Sequence, residues 1–462
     1  MKVLLINSPL FKYRNNLYDE DSLPPLGLGY IASQLERDGF EVEVLDTIFL
    51  RMPLADIIEY INNGRPDVIA SNIFTTNCAL VKELVEAIDY PAHIVIGGLS
   101  VRELHKYILD WATANPIDMV IGDGELIMTD ILHDQVNESP FIQQGNRRVF
   151  QANGCSAYFV QNIAHAPLDR HFLLNEPVKH ALGFVEANIV TSRGCIYNCS
   201  FCAAARSLNK DTPIREMDAP AISAEILSII KEFPKVSSIR VLDDLFLKTR
   251  DTVQKAIDVF SNFKLQWRSM AHVQTFNNVS DAMLLELKAS GCFELFIGIE
   301  SGSPAVLRSI HKTHNLDTIT TNMTKLFSAG INVKGYFIYG FPDETAADMD
   351  MTFALGKKLK QLAKQYNVNF RTSVFQYRPY HATEIYHELQ QQGLNLDNQQ
   401  VAPNEALSDL VGRLQFNFHT GNYSKVCDKD LHDYIYRTIN LNDGKIFAGL
   451  RPKTKSRRLQ KV

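Results

Sequence analysis

Three cysteines at fixed spacing carry the clearest chemical signal in this chain. Cys195, Cys199 and Cys202 form the pattern C-x-x-x-C-x-x-C on a segment that directly follows a predicted strand. Three thiolates on one loop can hold three irons of a 4Fe-4S cluster and leave the fourth iron open to another ligand. A closed structural zinc site would need a fourth protein ligand. The residues that could supply one are Cys155, His165, His171 and His180. The triplet favours an open 4Fe-4S cluster over zinc.

The elements around this triplet alternate between strand and helix. From residue 185 onward, the sequence predicts strands at 187–191, 238–242, 266–272, 294–298, 332–339 and 369–377. Helices are predicted between them, at 221–233, 252–263, 282–290, 316–329 and 346–363. About six βα units predict a partial (β/α)6 TIM-like barrel over residues 185–393. Such a barrel carries its site at the C-terminal ends of its strands, where the triplet falls.

An earlier α/β alternation fills residues 1–138. Strands are predicted at 2–8, 41–46, 67–74, 93–98 and 118–122, with helices at 24–39, 54–63, 79–88, 101–112 and 125–132. Helical crossovers between strands imply a parallel sheet, and near-continuous apolar strands imply helices on both faces. We therefore predict a five-stranded, doubly wound domain of the flavodoxin or Rossmann type. Residues 139–184 are predicted as a linker, and residues 394–462 as a small, mostly helical region with a basic tail.

Composition excludes several classes of protein. The 462 residues are 45% hydrophobic and 21% charged, which is ordinary for a globular chain. A net charge of -5 gives no electrostatic reason to expect nucleic-acid binding. No apolar run approaches the ~18 residues of a membrane span, and the apolar N-terminus is interpreted as a strand rather than a signal peptide. Seven cysteines are too few for a disulfide scaffold. We expect a cytoplasmic protein with reduced thiols.

The cysteine segment and the strand ends together resemble the radical S-adenosylmethionine (SAM) superfamily. The resemblance implies that Cys195, Cys199 and Cys202 ligate the cluster, which cleaves SAM reductively to a 5′-deoxyadenosyl radical. It implies SAM contacts from Phe201, Asp243, Asp244, Arg268, His272, Glu300, Ser301 and Gly340. Asp243 and Asp244 stand in the place of the motif for the methionine amino group, with capping of the next helix as the alternative. For Arg268 the alternative is an ordinary surface arginine.

The first domain is similar to the cobalamin-binding domain that is fused to many radical SAM enzymes. The similarity rests on residues 22–30, SLPPLGLGY, and on small residues after strands three to five. It implies cobalamin contacts from Pro9, Leu26, Thr75, Thr76, Gly97, Gly98, Gly122, Gly124 and Glu125. The chain lacks the family pattern D-x-H-x-x-G, so bound cobalt would have no histidine below it. A Rossmann-like domain without cobalamin stays open as the alternative.

Two enzymatic functions follow from this resemblance. The first is cobalamin-dependent methylation of an unactivated carbon in a small metabolite or natural-product intermediate. The second is radical dehydration, epimerisation, oxidation or rearrangement of a sugar-like substrate without methyl transfer, as in aminoglycoside deoxygenation. Residues after the sixth barrel strand are substrate candidates, with strand-end packing as the alternative. These residues are Tyr377, Arg378, Tyr380 and His381.

Other classes of function fit the sequence less well. A tRNA methylthiotransferase would need a second cluster, for which the remaining cysteines are too dispersed. A non-enzymatic iron–sulfur or cobalamin-binding protein would not need the barrel motifs. The partners that we expect are a small-molecule substrate and a flavodoxin or ferredoxin as electron donor, with no nucleic acid and no membrane.

Overall fold

The protein is described by a computed structural model that covers most of the chain. The described residues are 1–9, 23–136, 140–153, 157–166, 168–179, 183–312, 315–396 and 421–442. Cys155, His180 and the basic tail lie outside them. Among the described residues, no helix combines the length and the apolar character that crossing a membrane requires.

A seven-stranded sheet organises the first part of the chain. Its strands are β1 (Lys2–Asn7), β2 (Glu41–Asp46), β3 (Val68–Asn72), β4 (His93–Gly97), β5 (Ile117–Ile121), β6 (Ile142–Gln144) and β7 (Arg147–Gln151). Its helices are α1 (Leu26–Arg37), α2 (Thr47–Leu50), α3 (Leu54–Gly64), α4 (Cys78–Glu86), α5 (Val101–Ile108) and α6 (Ile127–Leu132). The strand order is β2-β1-β3-β4-β5-β7-β6, and every pair is parallel except β6–β7. The predicted doubly wound parallel sheet is confirmed.

Alternating apolar side chains explain why helices cover both faces of this sheet. Leu4 and Ile6 of β1 belong to one buried cluster, whereas Val3 and Leu5 belong to another on the opposite face. Successive side chains of a strand point to opposite faces, so a fully apolar strand needs cover on both sides.

Strands β6 and β7 differ from the sequence prediction, because they arise within the segment predicted as a linker. Arginine and glutamine residues interrupt the apolar pattern of this edge hairpin. Arg148 of β7 nevertheless pairs with the buried Asp118 of β5, with both nitrogen–oxygen distances at 2.7 Å. A long-range ion pair of this kind leaves no local sequence signal. The domain boundaries themselves stay predictions.

A second seven-stranded sheet forms the barrel part. Its strands are β8 (Val178–Lys179), β9 (Val185–Ile189), β12 (Ser238–Val241), β13 (Gln266–Ala271), β14 (Cys292–Glu300), β15 (Asn332–Tyr339) and β16 (Phe370–Gln376). A separate two-stranded ribbon consists of β10 (Ser192–Arg193) and β11 (Arg215–Glu216). The sheet order is β8-β9-β12-β13-β14-β15-β16, with six strands parallel and β8 antiparallel at the edge. The predicted partial barrel is confirmed.

Helices cover the outer face of this sheet. Two further helices, α10 (Pro304–Ser309) and α13 (Glu384–Gln391), pack with Phe341 and Tyr377 at the strand ends. The helices of the outer face are α7 (Ala219–Glu232), α8 (Arg250–Phe260), α9 (Asp281–Ala289), α11 (Leu316–Ser328), α12 (Ala346–Gln365) and α14 (Asp428–Ile439). Ile239 and Val241 of β12 face them, whereas the alternate residue Arg240 belongs to the inner face. Helix α14 packs against the last strands of the sheet, where the hydroxyl groups of Thr438 and Tyr339 of β15 form a hydrogen bond of 2.8 Å. The strand ends thus gather at one mouth, which faces the first domain.

Candidate functional site

The three cysteines lie on a loop whose two ends pair in the β10–β11 ribbon. Asp243, after β12, accepts hydrogen bonds from Thr191 N at 2.6 Å, Thr191 Oγ1 at 2.7 Å and Ser192 Oγ at 2.7 Å. Asp244 accepts one from Gly194 N at 3.0 Å. Neither acid caps helix α8, whose N-cap is Thr249. The two acids therefore fix the segment that enters the cysteine loop, and direct contact of either with SAM stays a prediction.

The thiols suit a cluster better than a single metal ion. Within the described residues, the one group of three ligand atoms lying within 4.8 Å of one another is the exposed set Glu36, Asp169 and His171. Tetrahedral zinc would bring thiolates to about 3.8 Å from each other. Burial raises the pKa of all three loop thiols, and that of Cys202 to about 12. Thiolates there need a bound cation to offset the cost of burying charge, and this donor set fits a 4Fe-4S cluster.

Glu300, at the end of β14, is held by a buried lysine. Lys312 Nζ lies 3.0 Å from Glu300 Oε1 and 3.5 Å from the carbonyl oxygen of Gly298, and both charged side chains are 7% exposed. Burial alone would lower the pKa of Lys312, but the charges of Glu300 and Cys199 raise it. A cation is thus retained beside the cluster loop, where a carboxylate ligand such as that of SAM could be held.

Ser301 and Gly340, two further residues predicted to contact SAM, lie in loops that hydrogen bonds within the protein hold in place. The hydroxyl of Ser301 pairs with Thr352 Oγ1 at 3.0 Å and accepts from Ser303 N at 3.0 Å. Gly340 has a positive φ of 92° and donates its N–H to Glu344 Oε2 at 2.6 Å. Burial raises the pKa of Glu344 to about 8, although the hydrogen bonds that it accepts from the backbone act to lower this pKa. These contacts fix the loops after β14 and β15, and ribose binding by Ser301 stays a prediction.

Two predicted basic contacts, Arg268 within β13 and His272 directly after it, have different surroundings. Arg268 is buried and binds both carboxylate oxygens of Glu186, at 2.7 and 2.5 Å, so it is not an ordinary surface arginine. His272 stacks on Tyr197 of the cysteine loop, with ring centroids 3.8 Å apart. The structure thus brings His272 to the cluster loop. Its contacts place Arg268 in an ion pair within the barrel, while its role towards SAM remains untested.

An apolar pocket of about 180 Å³ opens at the barrel mouth. It is lined by Phe201, Ile338, Phe375, Gln376, Tyr377, Arg378 and Tyr380. Phe201 lies on the cysteine loop and Ile338 on β15, two positions before Gly340, so two elements predicted to contact SAM converge here. Burial lowers the pKa of Arg378 to about 10 and raises that of Tyr380 to about 12. The predicted SAM residue Phe201 and three of the four predicted substrate residues therefore share one pocket.

A larger cleft of about 530 Å³ lies at the carboxyl ends of the first sheet. Open α/β sheets bind ligands at this edge. The predicted cobalamin residues that line it are Thr76, Gly97, Gly98, Gly122, Gly124 and Glu125. Gly98 and Gly122 have positive φ values of 102° and 118°, which favour glycine and bring the backbone to the cleft wall. The cleft volume falls within the range of small-molecule sites, and its small residues suit a flat macrocycle.

Three predicted cobalamin residues do not line this cleft. They are Pro9, Leu26 and Thr75. The hydroxyl of Thr75 instead accepts a hydrogen bond from His381 N at 3.1 Å and lies 2.9 Å from His381 Nδ1. The predicted substrate residue His381 thus joins the two domains. Glu125, which is predicted to contact cobalamin, pairs with Arg193 Nη2 at 2.5 Å.

Sequence reasoning missed several residues of these sites. Phe74, two residues after β3 and 39% exposed, lines the cleft together with Tyr30. An exposed phenylalanine between a buried strand and two threonines was the available signal. No sequence motif marks Lys312, because its approach to Glu300 depends on the turn of the chain after α10. Arg193 stands two residues before Cys195, but its partners are distant in sequence.

Comparison with known proteins relates the chain to two families. A family model for the Radical SAM superfamily matches residues 189–356, and one for the B12 binding domain matches residues 19–132. An uncharacterized methyltransferase of Pyrococcus horikoshii is 28% identical over 378 residues, which cover 78% of this chain and 78% of that protein.

Two solved structures share the fold over nearly the whole chain. The radical SAM methyltransferase TsrM from Kitasatospora setae, with cobalamin and a 4Fe-4S cluster bound, superposes with a TM-score of 0.64 at 15% identity. The match covers 96% of this chain and 91% of TsrM. The cobalamin-dependent SAM radical enzyme OxsB gives a TM-score of 0.61 at 15% identity over 94% of this chain, which spans 65% of OxsB.

The two matched domains coincide with the two sites built above. The B12 binding match covers most of the residues that line the larger cleft, and the Radical SAM match covers the cysteine loop and the strand ends to Gly340. This chain belongs to the cobalamin-dependent radical SAM family, with an N-terminal cobalamin-binding domain and a 4Fe-4S, SAM-binding barrel.

Proposed function

We propose that this enzyme methylates an unactivated carbon of a small metabolite or natural-product intermediate. The observation that carries the proposal is Tyr380, which lines both the 530 Å³ cleft and the 180 Å³ pocket. One residue therefore separates the cavity suited to cobalamin from the pocket suited to SAM. A substrate carbon beside Tyr380 would be within reach of both cofactors.

Each bound group would supply one half of the chemistry. The cluster and SAM supply hydrogen-atom abstraction, and cobalamin supplies the methyl group. The names of the Pyrococcus horikoshii relative and of TsrM support methyl transfer over radical dehydration or rearrangement.

The protein's own residues bind, orient and exclude water. Phe201 and Phe341 pack edge to face at 5.6 Å, which keeps the smaller pocket apolar. Glu344 holds the N–H groups of Gly340 and Phe341, at 2.6 and 3.1 Å, and so fixes the turn beside that pocket. A dry, rigid pocket protects a reactive radical from side reactions.

We further propose a flavodoxin or ferredoxin as the electron donor. Ile196, next to Cys195, is 36% exposed, so the cysteine loop reaches the protein surface. A donor could therefore approach the cluster from this side.

The proposal is tested with enzyme reconstituted anaerobically with iron, sulfide and hydroxocobalamin. Titanium(III) citrate and methyl-deuterated SAM are added, with or without a small-molecule extract of the source cells. We expect S-adenosylhomocysteine and methylcobalamin without extract, and 5′-deoxyadenosine together with a deuteromethylated metabolite in its presence.

Formation of 5′-deoxyadenosine without S-adenosylhomocysteine would refute methyl transfer. The variant Cys199→Ser should abolish 5′-deoxyadenosine, because Cys199 is a predicted cluster ligand. Cys427→Ser is the matched control, since Cys427 is exposed at the start of α14, and it should leave every product unchanged.

A further inference from the structure

Arg193 lies in a wall that the two cofactor sites share. Arg193 lines the larger cleft and stands two positions before Cys195, a predicted cluster ligand. Its guanidinium binds two acids of the first domain, with Nη1 3.0 Å from Asp123 Oδ1 and Nη2 2.5 Å from Glu125 Oε1. The same guanidinium lies 5.6 Å from the ring centroid of Tyr30, another residue of the cleft. One side chain at the start of the cluster loop thus contacts three residues of the cleft, Tyr30, Asp123 and Glu125.

The other arm of the cluster loop meets the same wall. Arg193 pairs with Arg215 across the β10–β11 ribbon, and Arg215 also forms an ion pair with Asp123. Asn153 links the wall to the loop as well, because its Oδ1 accepts from Asp123 N at 3.3 Å and its Nδ2 donates to Thr212 Oγ1 at 2.6 Å. Both ends of the cluster loop are therefore fastened to the segment 122–125 that lines the cleft.

The charges at this wall are balanced and poorly solvated. Side-chain exposure is 20% for Arg193, 12% for Asp123 and 6% for Glu125. Buried ion pairs hold a specific geometry, because displacement of one partner leaves the other charge without compensation. A ligand that fills the cleft packs against this segment and limits the freedom of the guanidinium. The loop that carries Cys195 then also has less conformational freedom, because Arg193 lies at its start.

We propose that Arg193 is a positioning residue that couples the two cofactor sites, so that cobalamin in the cleft tightens SAM binding at the cluster. The inference rests on the two-cofactor function proposed above. A site that one ligand has already ordered costs less to order for the second, which makes the coupling positive. Coupling between binding sites is reciprocal, so SAM must tighten cobalamin binding by the same factor.

The experiment measures binding without turnover. Enzyme reconstituted with an oxidised cluster is titrated with radiolabelled SAM by equilibrium dialysis, with and without saturating hydroxocobalamin. The reverse titration follows hydroxocobalamin by visible absorption, with and without SAM. The ratio of the two SAM dissociation constants is the coupling factor, and we expect about fivefold or more for the native enzyme.

Three variants separate coupling from general loop stability. Arg193→Gln removes the link at the cleft wall and should bring the coupling factor close to one. Asp123→Asn weakens the link, because Glu125 still binds Arg193 Nη2, and should lower the coupling factor below the native value. Arg102→Gln is the matched control. Arg102 binds both carboxylate oxygens of Asp211 in the cluster loop at 3.0 Å, but it does not line the cleft. It removes an anchor of the same loop and should retain the native coupling factor.

A spectroscopic readout checks the same link. Excess dithionite keeps the cluster reduced and converts added hydroxocobalamin to cob(II)alamin, whose own EPR lines are subtracted. Under these conditions the EPR lines of the cluster should shift on addition of hydroxocobalamin in the native enzyme and in Arg102→Gln, but not in Arg193→Gln. A coupling factor of one in the native enzyme would overturn the inference, as would full coupling in iron-loaded Arg193→Gln or Asp123→Asn. Loss of the cluster from both of these variants would also overturn the inference, because the link would then be required for the structure of the cluster loop and not for coupling between the two cofactor sites. Coupling observed without any methylated product would leave the inference standing and refute the proposed function alone.

Discussion

Replacement of Tyr377 by phenylalanine should make the protein more stable and weaken SAM binding at once. Tyr377 is 2% exposed, and its phenol oxygen has no hydrogen-bond partner among the described residues. The ring is fixed by Phe341, with centroids 5.0 Å apart, and Tyr377 lines the 180 Å³ pocket. A buried polar group without a partner costs about 1–3 kcal/mol, a cost that a ligand can remove by accepting the hydrogen bond.

The two expected effects follow from that cost. Tyr377→Phe should raise the free energy of unfolding of the enzyme without ligand by about 1–3 kcal/mol. For a domain of this size, the melting temperature rises by about 2–4 °C for each kcal/mol. If the phenol donates to SAM, the variant loses a hydrogen bond of about 0.5–1.5 kcal/mol, and the SAM dissociation constant rises about 2- to 12-fold.

Differential scanning fluorimetry without ligand and equilibrium dialysis with SAM measure the two effects. Tyr339→Phe is the matched control. Tyr339 is also fully buried, but its hydroxyl lies 2.8 Å from Thr438 Oγ1, so the same change should lower stability and leave SAM binding unchanged. A lower melting temperature for Tyr377→Phe, or an unchanged SAM affinity, would show that the phenol does not serve the ligand.

Three further outcomes follow from the site. Replacing any of the three ligand cysteines by serine should remove the visible absorption of the cluster and SAM cleavage, whereas Cys427→Ser should retain both. Lys312→Gln should raise the SAM dissociation constant by about tenfold or more, because a charged hydrogen bond beside Glu300 is lost. An unchanged affinity would exclude a role for this cation, and Lys364→Gln, at an exposed position of α12, is the surface control. The raised pKa of Glu344, about 8 against 4.5, means that its neutral form stabilises the fold and that this stabilisation is lost as pH rises through about 8. Glu344→Gln should therefore lose less melting temperature than the native enzyme between about pH 5 and about pH 9, and parallel curves would contradict the assignment.

Most of the fold could be predicted because its signals are local. The apolar strand of residues 2–7 and the glycine-ended helix after it are determined by neighbouring residues, and so are the six barrel strands. The hairpin of β6 and β7 escaped prediction, because the contacts that join it to the sheet, such as the ion pair between Arg148 and Asp118, are distant in sequence. Residues 397–420, for which the sequence predicts short helices, lie outside the described residues.

The candidate site was predictable in its position and less so in its contacts. Strand ends of a parallel sheet lie at one edge, so the motif residues after β9, β12, β14 and β15 had to converge. The sequence does not determine which acid an arginine meets. Arg268, which is predicted to contact SAM, pairs with the distant Glu186, and Lys312, which no motif marks, lies beside Glu300.

The sequence by itself determined the cluster loop, the two alternating domains and the family, because each of these depends on spacing within a short segment. Only the tertiary structure decided how the two domains share a wall. Arg193 meets Asp123, 70 residues away, and His381 meets Thr75, 306 residues away. Such contacts depend on the packing of whole sheets against each other, since residue type fixes what a side chain can bind and the fold fixes which partner comes within reach.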